Sequence, residues 1–186
     1  MVSVTQLWLP ILLAAVLVFV ASSIIHMFLG YHAGDYKKVP REDEALAAMR
    51  PFNLEPGDYA MPKPASMAAM KDPEFQKKWK AGPIMFFTVV PSGQQEMAAQ
   101  FIGWFLYSIF IGVIAAYVTG IAYGPGAGHR QILRMATTVA FIGYVGSLPQ
   151  FSIWYKRSWR TTLVGMFDGL VYGVLTAGAL AWLWPR

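Results

Sequence analysis

The stretch QLWLPILLAAVLVFVASSIIHMFLG, residues 6–30, contains no Asp, Glu, Lys or Arg. About 20 mostly apolar residues in a helix cross the hydrocarbon core of a bilayer, so this stretch reads as a membrane span. Three more stretches qualify on the same ground, at about 97–122, 133–155 and 161–184. The third is the least uniform, and Pro149 with Gln150 near its end predicts a kink. The expected fold is therefore an all-α integral membrane protein, a single membrane domain over residues 1–186 with four transmembrane helices.

Composition agrees. Hydrophobic residues make up 56% of the chain and charged residues 13%, against about 25% charged in a typical soluble domain, so much of the chain is shielded from water. The pI near 9.5 raises nucleic acid as a partner, but the basic residues sit beside apolar spans. Anionic lipid headgroups are the expected partner, and nucleic acid is not. There is no cysteine, which excludes disulfides, thiolate metal sites and a cysteine nucleophile. Met1 to Gln6 carry no Lys or Arg. A secretory leader needs a positive n-region, so the first span is expected to be retained.

Orientation follows from Lys and Arg. Nine of them, from Lys37 to Lys80, fall between the first two spans, and Lys156, Arg157 and Arg160 fall between the third and fourth. On the other side are only Arg130, Arg134 and Arg186. The positive-inside rule puts the richer side in the cytoplasm and both termini outside. Trp154, Tyr155 and Trp159 flank the short basic turn and Trp182 and Trp184 mark the opposite end, as interfacial aromatics do.

The cytoplasmic segment, residues 32–96, is too long for a structureless connection and too poor in apolar residues for a second core. Pro40 before Arg41-Glu42-Asp43-Glu44, with Arg50-Pro51 at the far end, predicts a short helix whose acids and bases suit its dipole. Glu55-Pro56-Gly57-Asp58 and Met61-Pro62-Lys63-Pro64 mark turns. Asp72-Pro73-Glu74 starts a second short helix that stops at Gly82-Pro83. It carries Phe75 and Trp79 on one face with Lys77, Lys78 and Lys80 beside them, the pattern of an amphipathic helix lying among lipid headgroups. A solvated helix docked on the bundle fits the same pattern. Pro83 to Val90 is apolar but far too short to span, and is expected at the interface or under the bundle. Ser92 and Gln95 have the spacing of a capping box that launches the second span.

Asp168 is the most informative residue. It lies about seven residues, or roughly 10 Å, inside the expected fourth span. A carboxylate there costs roughly 2.5–3.5 kcal/mol on insertion scales, so it faces protein or water and has a partner. Gly165, Gly169, Gly173, Ala177 and Ala181 recur every four residues on that helix, a ridge that lets another helix approach closely. Asp168, Tyr172 and Thr176 form a polar stripe beside the ridge. Ser108, Gly112, Ala116 and Gly120 make a matching ridge on the second span. Both ridges are expected to face protein, either each other or another subunit.

His26, near the cytoplasmic end of the first span, has almost the depth of Asp168, and the two are candidates to pair. Such a pair reads as a proton or ion site, or as a buried carboxyl hydrogen-bonded to His26 or a tyrosine. The second reading carries more weight, because one carboxylate without another acid makes a poor relay. Haem is excluded because His26 and His32 lie near one side and His129 on the other. His26, His32 and Asp35 have ligand chemistry, but their spacing matches no familiar site, so no metal and no cofactor is expected. Gly124-Pro125-Gly126-Ala127-Gly128 reads as a tight connection between spans, not as a phosphate loop. No Ser-His-Asp grouping points to a hydrolase.

The runs Ser22-Ser23-Ile24-Ile25-His26-Met27, Tyr31-His32 and Asp35-Tyr36-Lys37-Lys38-Val39-Pro40 resemble the start of a family of uncharacterised bacterial inner-membrane proteins. Phe167-Asp168-Gly169-Leu170 and Trp182-Leu183-Trp184-Pro185 are similar to that family's end. The resemblance covers nearly the whole chain. It implies four spans and the cytoplasmic membrane of a bacterium, and it brings no activity with it. The leading expectation is a non-enzymatic accessory or scaffolding subunit, packed laterally against other membrane subunits or against itself. The main alternative is a small proton- or ion-coupled carrier that uses Asp168 and His26. A third reading is an enzyme acting on lipid through His32 and Asp35.

Overall fold

The computed structural model describes residues 1–93 and 96–186, so the capping box expected of Ser92 with Gln95 lies outside the described residues. In chain order the helices and strands are α1 (Trp8–Phe28), α2 (Glu42–Met49), β1 (Gly57–Met61), α3 (Pro73–Ala81), β2 (Met85–Val89), α4 (Ala98–Ala122), α5 (His129–Val145), α6 (Leu148–Trp154) and α7 (Trp159–Trp182). They divide into two compact units, Met1–Lys37 with Glu96–Arg186, and Lys38–Gln95.

The first unit contains four helical stretches long and apolar enough to cross a membrane: Val4–Phe28, Ala98–Ala122, His129–Trp154 and Trp159–Trp182. This is a multi-pass membrane protein. Ser3 opens the first stretch by exchanging hydrogen bonds with Gln6, which satisfies two amides left without intrahelical partners. The third stretch is broken. α5 stops at Val145, the chain turns through Gly146 and Ser147, and α6 restarts with Pro149 in its first turn. Proline is tolerated there and not in a helix interior, so the expected kink falls just ahead of the proline.

α1 packs on α4 and α7, and α5 packs on the same two from the other side, so the helices form a ring in the order α1, α4, α5, α7. Small residues set the close approaches. A Cβ on Gly169 would stand 2.1 Å from Val145 Cγ1, and one on Gly173 would meet backbone atoms of Phe141 at 3.2–3.4 Å. On α4, a Cβ on Gly112 would meet Ile11 at 3.3 Å, and one on Gly120 would stand 2.3 Å from the carbonyl oxygen of Val2. The two ridges therefore do not face each other. That of α7, from Gly165 to Gly173, receives α5 and α6, and that of α4 receives α1 and the N-terminal residues.

The second unit corrects the all-α expectation. Its helices α2 and α3 fall where the sequence puts them, and the Asp72 carboxylate accepts from the amides of Glu74 and Phe75 at 2.7 and 3.4 Å. The apolar run from Pro83 to Val90, however, supplies a strand. β2 pairs antiparallel with β1, from Gly57 opposite Val89 to Met61 opposite Met85. Met85, Phe87 and Val89 are half-buried and alternate with exposed Phe86 and Thr88, the period of a strand with one covered face. Tyr59 stacks on Phe87 at 5.5 Å, and the Thr88 hydroxyl donates to Asp58 at 2.5 Å. Trp79 is half-buried against Phe75 on α3, while Lys77, Lys78 and Lys80 are exposed.

The ridge geometry separates two glycines of the same helix. Gly169→Ala is expected to cost about 1–3 kcal/mol, the usual range for overpacking. Gly178 has open space where a Cβ would go, so Gly178→Ala is expected to be neutral or to stabilise by up to about 1 kcal/mol through helix propensity. Thermal unfolding of both variants in detergent checks the contrast.

Candidate functional site

The end of the bundle where α1 stops and α7 begins holds the polar cluster. Gly30, at φ +64°, takes the left-handed conformation just past the end of α1, as glycine does at helix C-termini. The chain then turns back on itself, with the amide of Ala33 on the carbonyl of Gly30 (3.0 Å) and that of Asp35 on His32 (2.9 Å). This returns Tyr31, His32 and Asp35 to the helices instead of releasing them into water. His32, expected as the first residue of the large loop, thus belongs to the bundle unit, which extends to Lys37.

Asp168 lies nine residues into α7 and is only 3% exposed. Its Oδ1 accepts a short hydrogen bond from the Tyr31 hydroxyl. Its Oδ2 stands 2.9 Å from His32 Nε2. His32 Nδ1 in turn is 2.7 Å from Asp35 Oδ2 and donates to it. Arg160 closes the far side, donating from Nη1 to Asp35 Oδ1 (3.2 Å) and from Nη2 to the carbonyl of Tyr31 (3.0 Å). Gly34 makes room for that guanidinium, since a Cβ there would lie 3.2 Å from Nη1. The result is a chain of groups, Tyr31–Asp168–His32–Asp35–Arg160, tying the returning loop to α7.

His26 joins from α1. Its ring stacks on that of His32, with centroids 4.3 Å apart, and its Nε2 lies 3.5 Å from the hydroxyl of Tyr172, itself buried one turn beyond Asp168. Trp104 of α4 packs edge-on against Tyr172 at 5.6 Å and donates from Nε1 to Ser22 Oγ of α1 (2.8 Å). These groups surround a cavity of about 240 Å3, whose walls include His26, His32, Asp35, Arg157 and Asp168. His129 stands apart, with Nδ1 3.2 Å from the carbonyl of Ala181 where α7 ends.

Asp168, His26 and Tyr172, singled out from the sequence, do come together. Their mutual contact is indirect, however: Asp168 meets His32 and Tyr31, and His26 meets His32 and Tyr172. Sequence reasoning had His32 and Asp35 only as members of other groupings, and it missed Tyr31 and Arg160 as parts of the site. The objection that Asp168 lacks a second acid falls away, because Asp35 stands on the other nitrogen of the same imidazole. The usable signal was the pair Gly30 and Gly34 bracketing Tyr31-His32, a turn that reverses the chain just past a span.

Comparison with protein-family models, with curated proteins and with solved structures finds no match to this chain.

Burial raises the Tyr31 phenol, and the hydrogen bond to Asp168 and the charge of Asp168 add to the effect, so its pKa is pushed up to about 12 from the ordinary 10.0. A folded-state pKa above the unfolded one stabilises fully below the unfolded value and ceases to as pH passes the folded value. The stability difference between the wild type and Tyr31→Phe is therefore expected to hold constant up to about pH 10 and to shrink between about pH 10 and 12. Melting curves of both proteins in detergent across that range check it.

Proposed function

We propose that this protein handles cations: a small multi-pass membrane protein that works as a proton- or ion-coupled carrier through His26, His32 and Asp168. The observation that carries this reading is a buried carboxylate, in a span, that shares one cavity with two imidazoles and keeps one oxygen turned toward them. An ionisable group inside a membrane span is by default a functional-site hypothesis, and ion paths and proton relays are among the roles such groups serve. A second acid is at hand, since Asp35 stands on Nδ1 of the imidazole whose Nε2 lies 2.9 Å from Asp168. The rival reading, an accessory or scaffolding subunit, drew on the small-residue ridges. Those ridges are taken up by α1, α5 and α6 of the same chain, which leaves that reading the broad apolar outer faces, and lipid suits these equally.

The orientation proposed with it is N-out and C-out, with the segment 38–95 in the cytoplasm of a bacterium and Lys77, Lys78, Lys80 and Trp79 of α3 among anionic headgroups. The charge count and the resemblance support it. The cysteine-free chain allows a direct check by single substitutions. Pro125→Cys is expected to react with a membrane-impermeant maleimide in intact cells, and Ala65→Cys only once the membrane is opened. The reverse pattern overturns the orientation.

Reconstitution into liposomes tests the carrier. Wild-type protein is expected to dissipate an imposed proton or cation gradient, and Asp168→Asn to lower that flux at least about tenfold while leaving helix content unchanged. A wild-type protein with no flux above lipid alone overturns the proposal.

A further inference from the structure

We infer that the cation taken by this cluster is a divalent transition-metal ion of the Zn2+ kind, held by His26, His32 and Oδ2 of Asp168; this rests on the cation-handling reading and names its substrate. One ligand atom of each of the three residues lies within 4.8 Å of the other two. Two imidazoles with one carboxylate suit Zn2+ and its first-row neighbours, whereas Mg2+ and Ca2+ seek oxygen.

The arrangement around His32 points the same way. With Nδ1–H given to Asp35, the neutral form of the ring carries its lone pair at Nε2. That atom is buried, has no hydrogen-bond partner among the described residues, and lies 2.9 Å from a carboxylate oxygen. Two lone-pair-bearing atoms so close repel unless a positive centre sits between them or beside both. The contact is off the line of a hydrogen bond, so a proton on Nε2 does not resolve it well, whereas a metal ion binding both atoms from one side does.

The outer partners are also those a metal site needs. A ligating histidine ordinarily gives its other N–H to a carboxylate, and a ligating carboxylate is itself hydrogen-bonded. Asp35 does the first for His32, and Tyr31 does the second for Asp168 through Oδ1, leaving Oδ2 for the metal. Arg160 balances the charge of Asp35, so the carboxylate left to offset the ion is that of Asp168. A tetrahedral zinc keeps nitrogen and oxygen ligands at about 2.0–2.2 Å, hence roughly 3.4 Å from one another. Reaching that geometry takes up to about 1.4 Å of closure from the 4.8 Å limit and about 0.5 Å of opening of the 2.9 Å His32–Asp168 pair; the larger movement falls to His26, which is exposed and lines the cavity. The fourth position opens on the cavity, where water or an anionic oxygen has Arg157 and Thr161 for neighbours.

The test uses the full chain in detergent, stripped with a chelator and titrated with Zn2+ against a chromophoric competitor. About one equivalent per chain is expected, with affinity reduced more than about 100-fold in His32→Ala and His26→Ala and about 10–100-fold in Asp35→Asn, the range for an outer partner. His129→Ala, altered at the other end of the bundle, is expected to bind as the wild type does. Should the histidine variants fail to fold, the wild-type Co2+ spectrum decides: intense four-coordinate d–d bands support the site, and weak six-coordinate bands overturn it. Binding that ignores both histidine substitutions overturns the inference. So does a protein that takes no Zn2+ or Co2+ but still moves protons in an Asp168-dependent way, and that result leaves the carrier reading standing. Zn2+ bound without flux of any cation supports the site and overturns the carrier. Neither binding nor flux overturns both.

Discussion

The burial of the Asp168 carboxylate governs the architecture of this end of the molecule. A carboxylate one-third of the way along an apolar helix is stable only if other groups replace the water it gave up. No other acid lies within the four spanning stretches. The partners come from outside the spans. Residues 31–35 fold back past the end of α1 and deliver a phenol, an imidazole and a second carboxylate in one turn. The same turn is tied to α7 a second time through the carbonyl of Tyr31, which accepts from Arg160.

α7 serves two purposes on neighbouring faces. Its glycines let α5 come within backbone contact, as Gly173 against Phe141 shows, and its polar stripe of Asp168, Tyr172 and Thr176 lies alongside. Since successive residues turn a helix by about 100°, Gly169 and Asp168 adjoin and cannot be repositioned independently. Tight packing on the glycine face therefore fixes where the carboxylate points. The buried pair of Ser152 with Thr162, 2.7 Å apart, holds α6 against the start of α7 and extends the same constraint to the basic turn. In the proposed carrier this rigidity keeps the cation's ligands in place, while the exposed His26 and the cavity beside it provide access.

The spans, their approximate limits, the short helices α2 and α3 and the importance of Asp168 were all legible in the sequence, because each depends on local signals: a run of apolar residues long enough to cross a bilayer, a cap, a proline, a charge where none belongs. The β1–β2 pair was not legible. A five-residue apolar run is ambiguous taken singly, and its partner begins with Gly57-Asp58, which reads as a turn. The pairing joins residues about 30 positions apart with α3 between them, and no local signal reports that. The ridges were visible as small-residue periodicities, yet which helix each receives is a property of the ring order.

For the site, the sequence by itself determined the cast of ionisable residues and the depth at which Asp168 and His26 sit, since rise per residue converts position into depth. Only the tertiary structure decided the pairing. It turned residues 31–35 inward, put His32 rather than His26 on Asp168, and set Asp35 and Arg160 behind it. The reason is that a loop's direction depends on the groups waiting to receive it. An unpaired buried carboxylate on α7 draws in the nearest donors, and neither the carboxylate's need nor the donors' reach is written in any one stretch of the chain.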